Sequence, residues 1–164
     1  MTFEEIFKTV LAALDDKAAH VAEQPRKLKT QWTEAVTEDD CRDVASAALD
    51  QFQGAMQSHV TAWEFAMEMM RQFNQAYTSY GRADRHDYSD VRRCLNRSSE
   101  AMVAEARQLA NRVDGVDLKN APTRNLLPVI GFATAALDNA ANAIAHDADA
   151  IRMMAMIQKP SHPA

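Results

Sequence analysis

Apolar residues recur at steps of three and four along almost the whole chain, the spacing of one face of a helix. The pattern predicts four helical segments and no sheet. In the first segment, Phe3 to Gln24, the residues Phe3, Phe7, Val10, Leu14 and Ala18 share a face. Thr2 is its cap, and Glu4 and Glu5 sit in the first turn, where the helix dipole favours acid. Pro25 is expected to end it, because proline lacks the N–H that a helix interior needs. The stretch 25–36 then reads as a connection, with Leu28 and Trp32 anchoring it to the bundle.

The second segment is the longest. Thr37 followed by Glu38, Asp39 and Asp40 is a capping signature. Ala45, Leu49, Phe52, Met56, His59, Trp63, Ala66, Met70, Phe73, Tyr77 and Tyr80 then alternate steps of four and three, a heptad seam. Gly81 is the expected stop. Gly54 marks a bend or a close helix contact in the middle. A polar turn over 81–87 leads to a third helix capped by Asp87 or Ser89. Its face is Val91, Leu95, Ser98, Met102, Ala106, Leu109 and Val113, and Asp114-Gly115 stops it. The fourth is expected from about Leu127, with Pro128 in the first turn. Its seam is Leu127, Ile130, Thr134, Leu137, Ala141, Ile144, Ala148, Ile151 and Ala155. Alanine on that seam permits close approach of neighbours.

The predicted architecture is an all-α, roughly antiparallel four-helix bundle with one unusually long central helix, the second. Residues 1–159 form a single domain, and 160–164 a disordered tail. Composition agrees: only 4 glycines and 5 prolines stand in 164 residues, too few turn-formers for an all-β chain.

A formal net charge of −5 argues against a general nucleic-acid binder, which needs a basic face. No run reaches the roughly 18 apolar residues of a membrane-spanning helix, so the chain is not expected to be an integral membrane protein. The opening residues lack the basic start of a signal peptide. Cys41 and Cys94 read as reduced, unpaired side chains, which suits the cytoplasm.

Candidate chemistry is sparse. No Glu-x-x-His pair of a bundle di-metal site occurs. Asp16 with His20, and His146 with Asp149, are each half a metal site, so no metal or other cofactor is expected. There is no nucleophile elbow and no phosphate loop. A pair between Cys41 or Cys94 and His59 or His86 has no local support. The arginines Arg82, Arg85, Arg92, Arg93 and Arg97 are interleaved with Asp84, Asp87 and Asp90, which suggests surface ion pairs rather than a phosphate track. His59 is the one histidine on a seam. It reads first as a polar core group that sets helix register, and second as a ligand or proton-sensing group.

The stretch 62–73, AWEFAMEMMRQF, departs most from an ordinary surface helix. Trp63, Phe65, Met67, Met69, Met70 and Phe73 spread around more than one side. They form either a core with several neighbours or an adaptable interaction face. Long helices rich in Ala, Gln and Met with few glycines resemble phasins, which coat polyester granules. That resemblance is one of composition and helix length. It implies an apolar surface or ligand as partner and carries no site residues.

Three functions follow in order. The first is a non-enzymatic interaction or scaffold protein that self-associates, as a homodimer, or binds a protein partner through the Met/aromatic face. The second is a phasin-like coat or binding module. The third is a ligand-binding sensor or enzyme with a pocket near His59.

Overall fold

The computed structural model describes residues 2–79 and 87–158, with the side chains of 76–79 and 158 left aside. The expected stop at Gly81, the side chains of Tyr77 and Tyr80, Asp84, His86, Arg82, Arg85 and the 160–164 tail lie outside the described residues. Within them the chain folds as α1 (Phe3–Glu34), α2 (Glu38–Ser79), α3 (Ser89–Val113) and α4 (Thr123–Gln158), with no strand. It is an all-α four-helix bundle.

Capping follows the sequence closely. The Thr2 hydroxyl accepts from the Glu5 amide, and the Glu5 carboxylate accepts from the Thr2 amide. Thr37 and Asp40 make the same reciprocal pair at the start of α2. The Thr37 and Val36 amides, both donating to it, hold the Asp40 carboxyl below the usual range. At α3 the N-cap is Tyr88, while Asp87 accepts from the Ser89 amide and hydroxyl. Gly115 takes φ of 78° just past the helix end, a conformation that disfavours any side chain.

Pro25 does not end α1. The helix runs through it to Glu34. The reason is tertiary: Phe7, Leu14, Val21 and Leu28 are all buried at a strict seven-residue spacing, and Trp32 is half-buried beyond them. Burying Leu28 and Trp32 outweighs the one backbone bond that Pro25 forgoes. The fourth helix likewise starts earlier than expected, at Thr123, and Leu127 is 56% exposed.

The longest helix is α2, at 42 residues. The helix that packs against all three others is α4, whereas α2 and α3 scarcely touch. α4 takes the centre because it is narrow. Ala133, Ala136, Ala140, Ala143, Ala148 and Ala150 are all buried, on more than one side of the helix. Such a helix admits three neighbours at short range. Chain direction alternates. Phe7 meets Phe65 near the end of α2, Arg42 at the start of α2 donates to the Ala121 carbonyl before α4, and Asn139 donates to Glu105 between α3 and α4. Arg152 pairs with Asp15 across α1 and α4.

The buried face of α2 is rotated from the heptad seam. Ala48, Phe52, Ala55, His59, Ala62 and Ala66 face the core, while Leu49 and Met56 are half-buried and Trp63 is 37% exposed. Small residues again take many of the buried positions. Gly54 lies where α1 crosses, and a Cβ there would meet only the Lys17 Nζ, at 3.7 Å.

Gly131 stands inside α4 with nothing within 4 Å of an added Cβ. Gly131→Ala is therefore expected to raise stability by about 0.5–1 kcal/mol, mainly by restricting the unfolded chain. Urea midpoints of the two proteins check this.

Candidate functional site

One charged side chain stands on the buried face of α4. Ala140, Ile144, Asp147, Ile151 and Met154 follow steps of four and three, and all five are buried. Asp147 is fully buried, and an isolated carboxylate there would be costly. Its partner comes from α2: His59 Nδ1 lies 2.6 Å from Asp147 Oδ2. The other ring nitrogen, Nε2, lies 2.9 Å from Ser99 Oγ on α3. With the ring proton on Nδ1, the imidazole donates to the carboxylate and accepts from the serine hydroxyl. The three residues form one hydrogen-bonded chain, Asp147–His59–Ser99, through three helices.

Burial falls along that chain. Asp147 is at 0%, His59 at 5%, and Ser99 is half-buried. Burial pushes the Asp147 carboxyl above its ordinary value, more than the His59 hydrogen bond and charge lower it. Ser98 lowers it less, and its hydroxyl also bonds the Ala143 carbonyl at 3.2 Å. Asp147 Oδ1 has no hydrogen-bond partner among the described residues, which also favours the protonated form.

A raised carboxyl has a defined linkage. The stability it contributes is complete below the unfolded value of 3.8 and is lost as pH rises through the higher folded value. The stability advantage of the wild type over Asp147→Asn should therefore shrink as pH climbs above 3.8. Parallel urea titrations across that range check the sign.

Beside this chain, on α3's other flank, a groove of about 690 Å³ lies between α3 and α4, lined by Arg93, Cys94, Arg97, Ser98, Asn142 and His146 among others. Neither His59 nor Ser99 lines it. The Cys94 thiol donates to the His146 carbonyl at 3.2 Å. Burial, then Asp149 and Asp147, push that thiol up despite Arg97 and so disfavour the thiolate. Cys41 is buried, and both cysteines are free. His59 thus pairs with a carboxylate and a hydroxyl, not with a thiol. Among the described residues no three His, Cys, Asp or Glu side chains come together as metal ligands. His20 bonds Gln24, not Asp16.

The six residues of the Met/aromatic stretch are divided. Met69 and Met70 are buried, at 6% and 1%, and Phe65, Met67 and Phe73 are half-buried. The start of α1 covers one edge: Phe65 and Phe73 lie 5.8 and 6.3 Å from the Phe7 ring centroid, and Phe73 lies 5.2 Å from Phe3. Trp63 and Val60 stay exposed, at 37% and 39%. With Met56 and Met67 they make a stripe at steps of four, three and four, next to His59 on the side that reaches toward Ser99. Val103, one turn beyond Ser99 along α3, is 46% exposed.

Sequence reasoning found His59 and missed its partners. A signal for Asp147 existed, a lone acid at core spacing in an alanine-rich helix. No local signal singles out Ser99, because only the packing of α3 brings it to His59. Comparison with family models, curated proteins and solved structures gives no match. No helix among the described residues is long and apolar enough to cross a membrane.

Proposed function

We propose that this chain is a non-enzymatic helical interaction protein that self-associates as a two-fold homodimer through the Met/aromatic side of α2. The observation that carries the reading is the stripe Met56, Val60, Trp63 and Met67, of which Val60 and Trp63 are exposed and Met56 and Met67 half-buried. α2 and α3 both dock on α4 and scarcely on each other, so α3 leaves Val60 and Trp63 partly exposed. Met and aromatic residues are the types enriched at interface cores. A two-fold mate presenting the same stripe would cover it, and two-fold dimers are the commonest oligomers. Trp63 and Met67 are the contact residues in this reading, while Phe65, Met69, Met70 and Phe73 support them from within the chain. The two free cysteines suit a reducing cytoplasm.

Sedimentation equilibrium tests it. The wild type is expected at the dimer mass, and Val60→Glu with Trp63→Glu at the monomer mass with helicity retained. A wild type that stays monomeric at high concentration overturns the proposal.

A further inference from the structure

The Asp147–His59–Ser99 chain has the connectivity of an activated serine. A nucleophile is bonded to a base, and the base is oriented by a buried acid. The acid is the most buried member and the serine the least. The serine is half-buried on α3; Val60 and Trp63 lie beside and one turn beyond His59 on α2, Val103 lies one turn beyond Ser99, and all three are partly exposed. Partly exposed apolar side chains one turn from each end of the His59–Ser99 bond suit an electrophile carrying an alkyl or aryl chain.

We propose that Ser99 is a nucleophilic serine, with His59 as its general base and Asp147 as the residue that positions His59, open to covalent acylation or phosphonylation by reactive electrophiles with apolar chains. With a fluorophosphonate, the Ser99 Oγ lone pair forms the O–P bond. The hydroxyl proton passes to His59 Nε2, and the P–F bond breaks with fluoride leaving on its electron pair. Asp147 faces the imidazolium that results. Ser99 lies well inside α3, so the amides beside it are bound in the helix ladder and do not form an oxyanion hole. The assignment is therefore to covalent capture of activated compounds, not to turnover of ordinary esters.

The inference goes beyond self-association and does not depend on it. The test is run at a concentration where the chain is monomeric, so its failure and the failure of the dimer are separate results. The folded wild type is incubated with an alkyl fluorophosphonate, and the modified residue is located by peptide mass mapping. The expected result is one adduct, on Ser99, formed roughly a hundredfold faster than on Ser98 or any other serine, the scale of general-base assistance. It should vanish in Ser99→Ala and in urea. Folded His59→Gln should label about a hundredfold more slowly. The absence of a Ser99 adduct in the wild type overturns the proposal whatever the variants do. So does labelling spread evenly over the serines, or Ser99 labelling that proceeds equally fast in urea.

Discussion

His59→Leu should cost about 3–5 kcal/mol of folding stability at neutral pH, the range for stripping a fully buried carboxyl of its hydrogen-bonded partner. The loss comes less from the missing imidazole than from what it leaves behind. Asp147 is fully buried and its Oδ1 has no close partner among the described residues, so without His59 the carboxyl loses its shortest hydrogen bond and keeps only the weaker influence of Ser98. The cost should be smaller in acid, where the carboxyl is neutral. Adding Asp147→Val removes the stranded acid as well. Apolar replacement of both members of a buried pair is often neutral or stabilising, so the double variant should return to within about 1 kcal/mol of the wild type. Urea denaturation of the four proteins gives the double-mutant cycle. Additive losses would mean that the two side chains are not coupled, and the 2.6 Å contact would carry no energetic meaning.

Met69→Glu should be nearly as damaging, at about 3–5 kcal/mol, because it places an unpaired carboxylate at a position only 6% exposed. Trp63→Glu, six residues earlier on the same helix, should cost less than about 1 kcal/mol in the monomer, since Trp63 is 37% exposed. The contrast separates the two halves of the Met/aromatic stretch, which composition alone presents as one patch. Thermal unfolding followed by circular dichroism measures both. A well-folded Met69→Glu protein would mean that this edge of α2 is not core.

Local signals placed much of the architecture in advance. The capping pairs Thr2/Glu5 and Thr37/Asp40, the Gly115 stop and the apolar face of α3 all act within a few residues, and such interactions are readable along the chain. The Pro25 reading failed for the opposite reason. Proline is a local breaker, but Leu28 and Trp32 gain their burial from another helix, and that gain is invisible from residue 25 itself. The heptad seam of α2 correctly names Ala45, Phe52, His59, Ala66 and Met70 as buried and departs at Trp63. Periodicity also names the large residues Leu49, Met56 and Trp63, yet Ala48, Ala55 and Ala62 beside them are the more buried.

By itself, then, the sequence determined that the protein is helical, where α1, α2 and α3 begin and where α3 ends, and that His59 is a polar group at a core position. Each of those properties depends on neighbours within one or two turns. Only the tertiary structure decided that α4 rather than α2 lies at the centre, that Phe65 and Phe73 are covered by Phe7, and that His59 stands between Asp147 and Ser99. Those pairings join residues 40 and 88 positions apart. They follow from which helix is slim enough to sit among three others, and that is a property of the whole set of packed faces rather than of any one segment.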